Sequence, residues 1–117
     1  MTSGLTCTWS TPDEGTAAVA IVGDLEFATA GLLVRLVTDR LADDPGVREV
    51  RLDCGEIGFC DSSGLSELLK VHRAVVGTGR RLRLDNRKPA LDRLLTLTGT
   101  ARFLTGETAD SRVVRDS

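Results

Sequence analysis

Two hydrophobic periodicities alternate along this chain, and their order restricts the fold more than any other feature. Val47-Arg48-Glu49-Val50-Arg51-Leu52-Asp53 alternates apolar and polar residues, the period of a strand with one buried face. Leu65, Leu68, Leu69, Val75 and Val76 then recur at helical spacing, giving a helix over Ser63–Val76. The same switch occurs earlier, where apolar Thr16–Val22 precedes a helix over Phe27–Leu41 carried by Ala30, Leu33, Val34, Val37 and Leu41. It occurs again where Arg81-Leu82-Arg83-Leu84 precedes a helix opened by Lys88-Pro89 and ended by Gly99. Pro89 suits the first helical position, and Leu91, Leu94 and Leu95 form the apolar face.

A first strand at Leu5–Thr11, closed by turn formers Thr11-Pro12-Asp13-Glu14-Gly15, pairs with Thr16–Val22 as a hairpin. Asp43-Asp44-Pro45-Gly46, a turn around Gly55–Gly58, and Gly77-Thr78-Gly79 separate the later elements. Ala101–Thr105 reads as a last short strand. Parallel strands need crossovers of a dozen or so residues, which the helices supply. The expectation is α/β: one domain over residues 1–117, with a mixed β-sheet of about five strands and three to four α-helices. Its core spans about residues 5–105, and residues 106–117 form a frayed helix or a disordered tail.

A chain of 117 residues holds one core without staples. Cys7, Cys54 and Cys60 are odd in number and form no C-x-x-C pair, so they read as free thiols of a reducing cytosol. The net charge of −2 and an aromatic content of 3% argue against nucleic-acid binding, which needs phosphate neutralisation or base stacking. The N-terminus lacks a charged and then apolar leader. The longest apolar run, Ala17–Val22, is too short to span a bilayer. A cytoplasmic protein with no membrane contact is therefore expected.

Nothing here resembles a cofactor or metal site. His72 is the only histidine, and the scattered cysteines lack the spacing of a zinc site. Gly77-Thr78-Gly79-Arg80 lacks the Lys-Ser/Thr ending of a P-loop and reads as a helix stop. Ten helical residues put His72 ~15 Å from Ser62, well beyond the ~3 Å a general base needs. With no G-x-S-x-G elbow either, the chain does not read as an enzyme.

The chemistry concentrates where strand meets helix, in Gly58-Phe59-Cys60-Asp61-Ser62-Ser63-Gly64-Leu65. Asp61 and Ser62 are both good N-cap residues, whose short side-chain oxygens satisfy an orphan amide of the first turn. A serine hydroxyl is thus presented at a helix N-terminus, where free amides and the dipole favour a phosphate. Gly64 costs helix stability at such a position, so another chain or tight internal packing must approach it closely.

Phe59-x-Asp61-Ser62-Ser63-Gly64-Leu65 resembles the phosphorylation-site signature of anti-sigma factor antagonists, the anti-anti-sigma factors of the STAS domain family. Gly23-Asp24-Leu25-Glu26 is similar to the family's Gly-Glu-Leu-Asp turn, and Pro89-Ala90-x-x-Arg93-Leu94-Leu95-x-x-x-Gly99 to its later Pro-initiated helix. The resemblance runs from about Leu5 to Leu104. Glu26 stands where the family usually has Asp, and Asp24 where it often has Glu, so charge is kept while reach changes.

The resemblance implies partner switching. The unmodified protein would bind an anti-sigma factor that is also a serine kinase, freeing a sigma factor for transcription. That kinase would phosphorylate Ser62 and the complex would part; a serine phosphatase would reset it. Asp24, Glu26, Asp61 and Ser63 would surround the site, with Gly64 and Leu65 in the partner-binding face. Phosphoserine carries about −1.5 to −2 charges. At ~6 Å from one carboxylate and an effective dielectric of ~20, repulsion is roughly 4–5 kcal/mol before screening. Two other readings remain open. One is a STAS scaffold or stress-complex subunit. The other is a phospho-aspartate receiver domain, since Asp53 ends a strand and Lys88-Pro89 mimics a Lys-Pro pair.

Overall fold

The computed structural model describes residues 4–101 and residue 104. β1 (Leu5–Asp13) and β2 (Thr16–Leu25) form the hairpin around Glu14-Gly15. A 3-10 turn at Phe27–Thr29 leads to α1 (Leu32–Asp43), then β3 (Glu49–Cys60), α2 (Ser62–Val76), β4 (Arg81–Asp85) and α3 (Pro89–Leu97). The sheet order is β1-β2-β3-β4, antiparallel in the first pair and parallel in the other two. An antiparallel first pair is foreign to the all-parallel receiver architecture.

Alternation decides which face is buried. Ala17, Val19, Ile21, Val50, Leu52, Cys54, Leu82 and Leu84 point into one core. That core is closed by Leu33 and Val37 of α1, Leu68, Val71 and Val75 of α2, and Leu91 and Leu95 of α3. The opposite sheet face carries Thr6, Thr8, Ala20, Asp53, Arg81 and Arg83 and is open to solvent. Polar residues at alternate positions of β1, β3 and β4 make that exposure tolerable.

Several expectations change. Among the described residues the sheet has four strands, not five, because Ala101 and Leu104 are helical. Leu104 is buried in the core; the frayed or disordered tail expected over 106–117 lies outside the described residues. The helix expected from Phe27 is broken at Ala30-Gly31, and α1 starts only at Leu32.

β3 does not turn at Gly55–Gly58 but continues to Cys60, past the predicted end at Asp53. It does so because β2 also runs on, to Leu25, and pairs with it through two register shifts. Gly23 makes this possible: its φ is +117°, and a Cβ there would lie 2.0 Å from the Gly4 carbonyl oxygen. Only glycine fits that kink. The segment expected as a turn after β2 is therefore the strand's last residues.

Candidate functional site

The extension of both strands is what builds the site. Leu25 pairs with Cys60 in register, and the Asp61 amide donates to the Leu25 carbonyl at 3.2 Å. Asp24 and Glu26 are thereby brought to the same end of the sheet as Asp61, Ser62 and Ser63. The two motifs, far apart in sequence, meet in space.

α2 starts where the sequence says a cap stands. Asp61 is extended, and its Oδ1 accepts from the Gly64 amide at 3.0 Å. Its carbonyl takes the Leu65 amide at 2.9 Å. Asp61 therefore occupies the N-cap and Ser62 the first helical position, exposed to solvent. The amides of Ser62 and Ser63 precede the first intrahelical bond and point out of the helix end. Asp24 and Glu26 are half-buried. Asp24 lies over β3, its Oδ1 2.9 Å from where a Cβ on Gly58 would stand. Thr29, buried, ties the loop beside it: its hydroxyl donates to the Asp24 carbonyl at 2.7 Å and accepts from the Glu26 amide at 3.1 Å.

Gly64 and Leu65, expected in the contact face, are instead buried. A Cβ on Gly64 would lie 2.2 Å from the Leu25 carbonyl oxygen, so the close approach is internal. Leu65 is 8% exposed and belongs to the core. The accessible members of the set are Asp24, Glu26, Asp61, Ser62 and Ser63. Two aromatics join them at this end of the sheet: Phe59, 53% exposed on β3 beside Asp24, and Phe27, 82% exposed just after Glu26. Phe59 stands within the sequence motif and Phe27 at the expected helix start, but neither was assigned to the contact face, although aromatics are enriched at docking surfaces.

Glu67 was also missed. It is 2% exposed on α2, and its Oε2 accepts from the Leu33 and Val34 amides at 2.8 and 3.1 Å. α2 thus caps the start of α1, because Gly31 before α1 has no side chain to do so. Oε1 of the same carboxylate is buried with no partner among the described residues. The sequence did hold a hint: Glu67 sits in the stripe Gly64, Leu68, Val71, Val75, where an apolar residue is due.

The thiols are chemically quiet. Burial pushes Cys54 up to about 12, with nearby Asp53 and Asp85 adding to the shift and Arg87 opposing it. Burial likewise pushes Cys7 and Cys60 to about 11, helped by the charges of Glu67 and Asp61 respectively. They stay protonated near neutrality and are poor nucleophiles. Asp53, the receiver candidate, lies mid-strand. The Asn86 amide and the Gly55 N–H, both at 3.0 Å, hold its carboxyl below the usual range. No group of three or more metal-ligating side chains occurs among the described residues. No helix among them is long and apolar enough to cross a membrane.

A hairpin-led mixed sheet with its helices on one face, and a serine just beyond the end of a central strand, is the STAS architecture. The family model described as "Mlab, STAS domain" matches residues 11–106, and the chain belongs to the STAS domain family. Its fold is similar to an anti-sigma factor antagonist from Mycobacterium paratuberculosis, at 23% identity and a TM-score of 0.70, covering 86% of this chain and 82% of that one. It is similar also to SpoIIAA, a Bacillus cell fate determinant solved in its phosphorylated form, at 16% identity and a TM-score of 0.61 over 86% of this chain and 89% of that one. A third likeness, to the murine anion transporter Slc26a9, has 18% identity and a TM-score of 0.69 but covers 15% of that chain against 80% of this one. At these identities the likeness concerns the fold.

Proposed function

We propose that the chain is a non-enzymatic, cytoplasmic anti-sigma factor antagonist. It binds an anti-sigma factor serine kinase, releasing a sigma factor, and is switched off by phosphorylation at Ser62. The observation that carries this reading is the meeting of an exposed Ser62 at the start of α2 with Asp24 and Glu26 from the end of β2. Asp24, Glu26, Asp61 and Ser63, with Phe27 and Phe59, form the contact face; Gly64 and Leu65 hold it in place from beneath.

The switch follows from charge. A phosphate on Ser62 rests on a helix N-terminus, which returns ~1 kcal/mol to it, so the domain stays folded. The same group brings up to two negative charges to a surface already holding Asp24, Glu26 and Asp61. A loss of ~3 kcal/mol at the interface weakens binding about a hundredfold. A serine phosphatase restores the binding form.

The test is incubation with a cognate kinase and ATP followed by site-mapping mass spectrometry, with affinities by calorimetry. Phosphate at Ser62 is expected, Ser62→Ala keeping partner affinity and Ser62→Asp losing at least about tenfold. Phosphate at another residue alone would overturn the Ser62 switch, and no phosphate would leave the scaffold reading. Equal affinities of the Ala and Asp variants would remove repulsion as the mechanism.

A further inference from the structure

Among the described residues, β1 is an edge strand with little of the protection that such strands normally carry. An edge offers a row of unpaired amides and carbonyls, and proteins blunt it with charge, proline, bulges or short length. β1 is nine residues long and carries no charged residue from Leu5 to Pro12. Its proline, Pro12, and its irregularity between Ser10 and Asp13 both lie at one end. The other edge is guarded: β4 has five residues and carries Arg81 and Arg83, both exposed.

Register says which groups are free. Leu5 to Ser10 pair with Gly23 to Ala18 without a shift, and the Asp24 amide donates to the Gly4 carbonyl at 3.1 Å in that same register. Antiparallel partners alternate between bonded and non-bonded pairs. Counting from Gly4, residues Thr6, Thr8 and Ser10 bond to β2, and the amides and carbonyls of Leu5, Cys7 and Trp9 point outward. The side chains of those three are half-buried against the margin of the core. Outward hydrogen-bonding groups and a partly covered apolar row thus coincide on one neutral strand.

We propose that this edge pairs with itself: two copies of the chain join β1 to β1, antiparallel across a two-fold axis centred on Thr8, making one continuous sheet. The second copy is the fitting occupant because self-pairing here sets no like charges opposite each other, whereas self-pairing at β4 would oppose arginines. Centring on Thr8 engages the full run from Leu5 to Thr11, with Thr8 opposite Thr8 and Cys7 opposite Trp9 of the partner subunit. Leu5 lies at the Ser62 end of the sheet, so the two-fold sends the two Ser62 sites to opposite ends and leaves both open. The inference does not rest on the phosphorylation reading, and Ser62→Asp leaves the dimer intact.

Sedimentation equilibrium of the full chain over a wide concentration range tests this, with fluorescence read on the same samples. Trp9 is the only tryptophan, so its emission reports this edge alone. The expected result is a mass rising toward twice the 12.5 kDa of one chain, with Trp9 emission shifting to the blue in step. Thr8 is exposed, so Thr8→Lys should fold normally by circular dichroism yet weaken the dimer at least about tenfold. Mixing Thr8→Lys with Thr8→Glu should restore it. A chain that stays monomeric, a dimer whose formation leaves Trp9 emission unmoved, or a Thr8→Lys variant that dimerises as before would overturn the proposal.

Discussion

The two long helices of this domain begin in opposite ways. α2 is capped from its own sequence, by Asp61 on the Gly64 amide, and its first residue, Ser62, stays in solvent. α1 has only Gly31 before it and is capped from another helix, by a carboxylate buried in the core. A local cap satisfies the helix end and leaves a surface free for other chemistry. A distant cap spends the helix end on joining two elements. The first suits a regulatory site and the second suits a scaffold, which fits the switch proposed for Ser62 on α2 while α1 is locked to that helix.

The sharpest way to break this contrast is at Gly64. In an exposed helix, Gly→Ala gains about 1 kcal/mol. Here the added Cβ meets a strand carbonyl oxygen and carbon at 2.2 and 2.8 Å, atoms that cannot swing aside. Gly64→Ala should therefore lose about 3 kcal/mol in urea unfolding, an inversion of sign. If the variant is more stable than the parent, α2 does not rest on β2 as described.

Glu67 comes next. Glu67→Ala strands the Leu33 and Val34 amides at a buried helix end and should cost about 2–3 kcal/mol. Glu67→Gln keeps an acceptor for those amides but loses the charge at the positive end of α1, and should cost about 1 kcal/mol. Equal losses would mean that the charge carries the whole effect and that a neutral acceptor in the same place adds nothing. Hydrogen exchange at Leu33 and Val34 gives a readout local to the cap: Glu67→Ala should speed it more than the global loss explains.

What could be read in the sequence divides along the same line. The hairpin, the parallel strand–helix units and the Asp61 cap are local patterns, so alternation and capping chemistry revealed them. The meeting of Asp24 and Glu26 with Ser62 came only through resemblance, because register between β2 and β3 is a tertiary property. The sequence placed turns at Gly23 and at Gly55–Gly58, where glycines in fact let two strands kink and continue. Glycine marks both turns and bulges, and only the pairing partner tells them apart. Glu67 and the capless Gly31 could not be interpreted for the same reason: each is anomalous alone and makes sense only against the other. The last strand expected over Ala101–Thr105 rested on a five-residue segment too short to show a period, and its described residues, Ala101 and Leu104, are helical.

The smallest expected effect separates folding from function within the α2 start itself. Asp61→Ala removes the bond to the Gly64 amide and should cost about 1 kcal/mol. Ser62→Ala removes an exposed hydroxyl and should stay within about 0.5 kcal/mol of the parent. Their effects on the switch run the other way. If Ser62 is the phosphoacceptor as proposed, Ser62→Ala should abolish phosphate uptake, while Asp61→Ala keeps the hydroxyl, lowers the negative charge around it and should narrow the affinity gap between the unmodified and phosphorylated forms. Calorimetry on both forms of Asp61→Ala, with unfolding on the same samples, checks this. An unchanged gap would assign Asp61 to capping alone and leave the repulsion to Asp24 and Glu26. A narrowed gap would show one carboxylate serving the helix and the switch together, which its position between the Leu25 carbonyl and the Gly64 amide allows.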